Sequence, residues 1–274
     1  MTQQIIVTGA GGMLGRAVVK AAHARDLNVV GIGGRIQIDV GFIDSVRAVL
    51  SRHTDPIVIN CAGIVPPMAS EGWRPALLQQ AMWRANAYGP HHLSASAGRL
   101  IHVSTDCVFD GAIQDGEYTE ASEPSAVGDY AESKLAGEVT QPPHLTIRGS
   151  FIGLGRRGLV RWILDQPEEG HIFGYQDWAW NGAYVNDFAD AVVDLALKPS
   201  MTGLVHLAGP EVLTKGQLVE WLAGMLRPDI TVEQGDGGHR RMVLASTRIA
   251  PILTPWYVML GRLHDDYGRH PTGS

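Results

Sequence analysis

Gly9-Ala10-Gly11-Gly12-Met13-Leu14-Gly15 separates two apolar patterns of different period. Before it, Gln4 to Thr8 (Gln-Ile-Ile-Val-Thr) reads as a buried strand; after it, Leu14, Val18, Ala21 and Ala22 recur at helical spacing. Few folds carry a strand into a helix through Gly-x-x-Gly-x-x-Gly. Gly9 permits the tight turn, Gly12 lets the backbone approach a pyrophosphate, and Gly15 lets the helix pack closely on the strand. Met13 and Leu14 open that helix, whose N-terminus suits an anion. These residues are read as the phosphate seat of a dinucleotide.

Alternating strand and helix patterns continue. A second strand, Leu27 to Ile32, ends in Gly33-Gly34-Arg35 with no acid to bond ribose hydroxyls. Arg35 either meets the 2′-phosphate of NADP or is a solvated loop arginine; Arg25, at the end of the preceding helix, is a second choice. NADPH is therefore expected over NADH. Asp39-Val40 precedes a helix bearing Val46, Val49 and Leu50, and Asp39 caps that helix, reaches the adenine amino group, or does both. Ile57 to Asn60 is a third strand, closed by Cys61-Ala62-Gly63, small residues where a cofactor needs close approach. A helix around Leu77 to Ala97 carries Asn86 on an apolar face, where it must find backbone partners. Leu100 to Ser104 is a fourth strand. The fold expected is α/β: a Rossmann-like doubly wound parallel sheet in residues 1–150 and a smaller C-terminal substrate-binding lobe in 151–274, with roughly 183–209 returning to the first domain.

Tyr130 and Lys134 stand four residues apart, one helical turn, on one face. A phenol is a poor acid at neutral pH, and a neighbouring cation favours the phenolate. Such a pair passes a proton to or from a carbonyl or alcohol oxygen. Residues at the carboxyl end of a parallel strand face the ligand crevice, so Thr105, just past the fourth strand, offers its hydroxyl to the same oxygen. Asp106 either touches substrate or holds Thr105, and Ser104 lies beside the cofactor.

Composition removes other classes. A net charge of −6 with no block of like charge is unsuited to nucleic acid. No apolar run is long enough to span a membrane. Met1-Thr2-Gln3-Gln4 shows neither a basic leader nor a cleavage pattern, so a cytoplasmic protein is expected. Cys61 and Cys107 make no disulfide framework, and no metal-ligand spacing appears. No stretch reads as an interface; a homodimer is the simplest assembly left open.

Gly9-x-x-Gly12-x-x-Gly15, the Ser104-Thr105 strand end and Tyr130-x-x-x-Lys134 together resemble the extended short-chain dehydrogenase/reductases. With Asn60-Cys61-Ala62, Asn86-Ala87-Tyr88-Gly89-Pro90, Ser104 to Gly111 and Tyr130 to Glu138, the resemblance is closer to the dTDP-4-dehydrorhamnose reductase family. It implies a nicotinamide cofactor and a nucleotide-linked 4-keto sugar. It implies that Tyr130 protonates the nascent alkoxide, Lys134 holds the nicotinamide ribose and lowers the Tyr130 pKa, and Thr105 polarises the carbonyl. Two departures bear on the reaction. The similar 4,6-dehydratases carry Asp-Glu after the threonine, where this chain has Asp106-Cys107. Epimerase/reductases resembling GDP-fucose synthase put a cysteine directly after the Ser/Thr; Cys107 is one residue later, where strand alternation turns it to the other face. Both favour plain reduction, the first over dehydration and the second over epimerisation. A regulatory protein on the same fold, like the regulatory subunit of methionine adenosyltransferase, is the alternative from another class.

Beyond the strand Leu145 to Arg148, Phe151 falls where related reductases carry an aromatic near the sugar. Arg156, Arg157, Arg161, Trp162, Trp178 and Trp180 form either a lid for base and diphosphate or ordinary core and surface; Trp180 is the member assigned to substrate. Asn186 or Asp187 is expected to cap a helix, Thr214-Lys215-Gly216-Gln217 to form a capping box, and residues 210–274 a small helical lobe.

Overall fold

The structure, a computed structural model, describes residues 3–66 and 75–269. In chain order the first half forms β1 (Ile5–Thr8), α1 (Met13–His23), β2 (Val29–Ile32), α2 (Ile43–Leu50), β3 (Ile57–Asn60), α3 (Pro75–Met82), α4 (Gly89–Ser94), β4 (Arg99–Val103), α5 (Asp129–Ala136) and β5 (Leu145–Arg148). The second half forms β6 (Phe151–Ile152), α6 (Leu159–Leu164), β7 (His171–Tyr175), β8 (Trp178–Trp180), β9 (Ala183–Tyr184), α7 (Val185–Ala196), β10 (Gly203–His206), β11 (Leu213–Thr214), α8 (Lys215–Leu226), β12 (Thr231–Gly235), β13 (Arg240–Met242) and α9 (Trp256–Arg269).

Short, largely buried strands separated by helices cover both faces in a parallel sheet. Six of them do so, in the order β10-β5-β4-β3-β1-β2 with parallel pairing throughout. Alternation along β1 sends Ile5 and Val7 to one face, under α1 and α7, and Ile6 to the other, under α2 and α4. Each fully buried aliphatic chain contributes about 1.5–3 kcal/mol, so this double cover dominates the stability of the sheet. The strand order reverses between β1 and β3, which opens a crevice at their carboxyl ends. Thr8, Asn60 and Val103 end their strands there, followed by the glycine turn, by Cys61-Ala62-Gly63 and by Ser104-Thr105-Asp106.

The helix expected from Leu77 to Ala97 forms from Pro75 to Ser94, but it is not uniform. α3 passes through a π-helical turn, Trp83–Tyr88, into α4, whose first turn holds Pro90. The wider turn leaves Asn86 to grip the chain after β3: its Oδ1 accepts from Ile64 N–H (2.8 Å) and its Nδ2 donates to Ile64 O (2.9 Å). Asn86 thus has the backbone role expected of it. At α7, neither Asn186 nor Asp187 caps the helix. Tyr184 is the N-cap without a side-chain bond, while Asn186 donates to Asp266 (2.7 Å) and Asp187 accepts from Thr254 (2.9 Å). Tertiary partners in α9 outcompete the local cap. The Thr214–Gln217 capping box on α8 forms in full. The C-terminal lobe has more strand than expected: β7 pairs with β12, and β8 lies between β11 and β13.

Candidate active site

The glycine turn is shaped for a bulky anion. Gly9 sits at φ +70°, and a Cβ on it would stand 2.6 Å from Ala62 N. A Cβ on Gly15 would stand 2.2 Å from Gly9 O, so the close packing of α1 on β1 requires glycine. At Gly11 a Cβ would meet nothing within 4 Å, so this side of the turn faces open space. α1 has no side-chain cap and no acid in its first turn, which leaves its leading N–H groups for an external acceptor. Leu14 and Val40 turn their side chains into the core, so either would meet a cofactor through its backbone alone; Met13 packs its thioether against Gly153 and Gly155. These features fit the pyrophosphate of a dinucleotide.

Beyond the end of β2, a cleft of about 440 Å³ is lined by Arg35, Asp39, Ile64, Leu77, Arg84 and Ala85. Arg35 is exposed and shares this cleft with Arg84, which sequence reading passed over and which lies 5.1 Å from the Phe42 ring. Arg25 is excluded as a phosphate ligand: it pairs with Asp190 (2.6 Å) and Asp194 (3.1 Å) on α7. Asp39 does not cap α2; its Oδ1 accepts from Gly41 N–H (3.0 Å), a local turn that fixes the carboxylate at the cleft.

β4 ends at Val103, and the chain turns into a single 3₁₀ turn, Asp106–Val108. That turn gathers the polar groups. Thr105 Oγ1 donates to Asp106 Oδ1 (3.2 Å) and accepts from Cys107 N–H (3.2 Å). Ser150 Oγ donates to Asp106 Oδ2 (2.5 Å), and Trp180 Nε1 donates to Ser150 Oγ (2.6 Å). Asp106 therefore holds Thr105, and Trp180 reaches the site through Ser150, a residue sequence reading passed over. The expectation for Cys107 is corrected: alternation does not extend past Val103, and the 3₁₀ turn brings Sγ toward Asp106 Oδ1 (3.5 Å) on the Tyr130 side. Burial and the Asp106 charge push its thiol up to about 12, so it stays protonated near neutrality.

α5 carries Tyr130 and Lys134 on one face, as their spacing requires. Tyr130 is partly buried, beside Thr105, Asp106 and Cys107. Burial raises its pKa, the neighbouring thiol and Asp106 charges add to this, and the Thr105 hydroxyl opposes it. The cation of Lys134, expected to pull the phenol down, is directed elsewhere: Nζ donates to Val103 O (2.7 Å) in a site only 6% exposed. Burial brings Lys134 down to about 8, with the charges of Glu138 and then Cys61 working against that fall. Ser104, expected beside the cofactor, spends its hydroxyl on Glu138 (2.7 Å). Glu138 in turn takes a two-pronged bond from Arg148 (2.8 and 2.7 Å), a buried ion pair behind the site. Glu138 lies four residues beyond Lys134, a spacing visible in the sequence; Arg148 is found only through the sheet.

Of the aromatic residues, Phe151 packs on buried Phe188 (5.2 Å between centroids) at the carboxyl end of β5. Trp162 packs, partly buried, against the core, and Arg161 bonds Asp165 (2.8 Å) one helical turn on. Cys61 and Cys107 are both free thiols. Among the described residues no cluster of His, Cys, Asp and Glu has the makings of a metal site, and no helix is long and apolar enough to cross a membrane.

A threonine at a strand end and a Tyr-x-x-x-Lys helix, set beside a glycine turn at a switch point, define an oxidoreductase of the extended short-chain dehydrogenase/reductase class. Comparison with known proteins narrows this. Residues 3–230 match the model of the RmlD substrate binding domain, and the chain belongs to that family. It is 37% identical to a dTDP-4-keto-6-deoxy-D-glucose reductase of Streptomyces niveus over 97% of this chain and 90% of that one. It is 29% identical to a dTDP-4-dehydrorhamnose reductase of Mycobacterium tuberculosis over 78% of this chain and 72% of that one. It is also 31% identical to methionine adenosyltransferase 2 subunit beta of Danio rerio, over 79% and 72%. The fold matches the crystal structure of a dTDP-4-dehydrorhamnose reductase from Bacillus anthracis in complex with NADP, with a TM-score of 0.81 and 18% identity over 97% of this chain and all of that one.

Proposed function

We propose that the protein is an NADPH-dependent reductase of the C4 keto group of a nucleotide-linked 6-deoxy-4-keto sugar, acting in deoxysugar biosynthesis. The observation that carries this reading is the convergence of Thr105, Asp106 and the Tyr130 hydroxyl at the carboxyl end of β4, with Lys134 buried beneath them. Gly9, Gly12, Met13, Leu14 and Gly15 would hold the cofactor pyrophosphate, Arg35 with Arg84 the 2′-phosphate, and Asp39 with the Val40 backbone the adenine. Cys61, Ala62, Gly63, Ser104 and Lys134 would line the nicotinamide half. When bound, NADPH supplies the hydride.

The residues of the chain supply the rest. Tyr130 gives its proton to the C4 oxygen as negative charge develops there. Thr105, held by Asp106, directs its hydroxyl at the same oxygen. Lys134, held by Val103 O, would bind the nicotinamide ribose. Asp106, Phe151 and Trp180 flank the sugar. Epimerisation needs a base for a carbon acid, and the Cys107 thiol, raised to about 12, is a poor source of one at neutral pH. A non-catalytic regulatory role is the second reading, favoured by the likeness to the Danio rerio subunit. Against it stands the complete set Thr105, Tyr130 and Lys134. Cytoplasmic location and a homodimer complete the proposal; light scattering reads the second directly.

The test is turnover. Purified protein supplied with NADPH and a TDP-4-keto-6-deoxyhexose is expected to oxidise the cofactor and yield the 4-hydroxy sugar. Binding of NADPH without turnover of any such sugar, together with co-purification of a larger enzyme, would favour the regulatory reading instead.

A further inference from the structure

The Trp180 indole, the Ser150 hydroxyl and the Asp106 carboxylate form a chain in which each proton has one direction open to it. An indole N–H only donates, so Ser150 Oγ accepts from Trp180 Nε1 (2.6 Å). The single hydroxyl proton of Ser150 then goes to Asp106 Oδ2 (2.5 Å). On the other side the Cys107 N–H, also only a donor, occupies Thr105 Oγ1 (3.2 Å), and the one proton of Thr105 goes to Asp106 Oδ1 (3.2 Å). Asp106 is 5% exposed, and among the described residues it forms no ion pair. Donors alone hold its carboxylate: Ser150 on one oxygen, Thr105 and, at 3.5 Å, the Cys107 thiol on the other.

The far end of the chain is built to stay still. Ser150 lies between β5 and β6, and its carbonyl accepts from Ala183 N–H (3.0 Å) at the head of β9. Trp180 ends β8, which lies between β11 and β13, and its ring packs on that of buried Trp256 (5.5 Å between centroids). A Cβ on Gly182 would stand 1.9 Å from Trp180 Cζ2, so the ring lies against bare backbone there.

The near end carries a conflict. In the free protein the Thr105 proton is spent on Asp106, whereas reduction needs it on the C4 oxygen. Thr105 must turn, and turning strips Asp106 Oδ1 of its better donor. A buried acceptor left bare costs free energy, which would hold Thr105 back. Ser150 limits that cost by keeping Oδ2, and the Cys107 thiol, a weak donor, stays on Oδ1.

We propose that Ser150, aimed by Trp180, is a positioning residue of the reduction: it holds the Asp106 carboxylate in place so that the Thr105 hydroxyl can turn to the substrate oxygen. Cys107 supplies the reserve donor. The inference rests on the reading of the protein as a carbonyl reductase.

The test is a set of variants read in two ways: by kinetics with NADPH and a TDP-4-keto-6-deoxyhexose, and by the NMR signal of the Trp180 indole N–H in the free protein. Ser150→Ala is expected to lower kcat about tenfold and to leave the KM of the sugar and the affinity for NADPH unchanged, because the lost bond matters when Thr105 turns. Cys107→Ser in that background is expected to restore kcat about threefold, a hydroxyl being a stronger donor to Asp106 than a thiol. Trp180→Phe keeps a ring and loses the N–H. It is expected to cost less in kcat than Ser150→Ala, and the double variant to be no slower than Ser150→Ala alone. The indole signal, assigned by its loss in Trp180→Phe, is expected to move in Ser150→Ala. Unchanged kcat in Ser150→Ala overturns the proposal. So does a loss that Cys107→Ser leaves untouched, or losses from Ser150→Ala and Trp180→Phe that add, since a role in packing alone predicts both. Failure of the underlying reading looks different: the indole signal still answers to Ser150→Ala, but the wild type reduces no 4-keto sugar. That result removes the reaction, and with it the task assigned to Ser150.

Discussion

Tyr130 can donate a proton only if it holds one when substrate arrives, and burial beside Asp106 and Cys107 keeps it protonated. Tyr130→Phe is expected to lower kcat by about 100-fold or more while leaving NADPH affinity intact, because the hydroxyl serves the transition state alone. Fluorescence titration of the cofactor beside steady-state kinetics checks both halves. Lys134 gives a pH signature. Its folded pKa is lowered to about 8 from an ordinary 10.5, so between these values the unfolded chain holds a proton that the folded chain has lost. Stability of the cofactor-free protein therefore rises with pH through that window, while kcat/KM for NADPH, which needs the ammonium, falls. Opposite trends in denaturant midpoint and kcat/KM are the expected result; parallel trends contradict the assignment. At this scale the Tyr–Lys pair was legible because its spacing is a helical turn. Ser150 and Asp106 meet across 44 residues of sequence, and Cys107 takes its orientation from a 3₁₀ turn that strand alternation does not anticipate.

The glycine turn is the element on which the cofactor reading depends. Gly15→Ala would place a methyl 2.2 Å from Gly9 O, and neither backbone can yield without lifting α1 from β1. A loss of about 1–3 kcal/mol in stability is expected from such overpacking, together with a large loss of cofactor affinity. Chemical denaturation and calorimetry measure the two. An alanine variant of full affinity would place the pyrophosphate elsewhere. This element was legible in the sequence because a change of apolar period on either side of a glycine run has one structural meaning. The π-helical turn between α3 and α4 was less so: the apolar pattern runs on through it, and Pro90 in the first turn of α4 was the local warning. The caps expected of Asn186 and Asp187 failed because Asp266 and Arg262 of α9, with Thr254 just before it, take both side chains.

Across the whole molecule, stability and chemistry meet in the buried Glu138–Arg148 pair. It ties the end of β5 to the chain after α5, receives the Ser104 hydroxyl, and its carboxylate holds up the pKa of Lys134. Glu138→Gln leaves Arg148 buried without its charge partner, and a cost of about 3–5 kcal/mol is expected. The same change removes the charge that opposes the fall of Lys134, so the basic limb of kcat/KM should move to lower pH. A purely structural pair would lower stability and leave that limb in place. The sheet was readable in outline because strands buried on both faces admit little besides parallel order. The lobe was not, because β8, β11 and β13 are two or three residues long, too short for a period, and find each other only in space.

The central claim is that hydride reaches C4 of a keto sugar while Tyr130 protonates the oxygen. NADPH carrying deuterium at the transferable position of the nicotinamide, incubated with a TDP-4-keto-6-deoxyhexose and read by NMR, tests this most directly. The predicted product carries deuterium at C4 alone, and the same reaction run in deuterated water with unlabelled NADPH puts none on carbon. Absence of label at C4, or solvent deuterium at C3 or C5, would contradict plain carbonyl reduction.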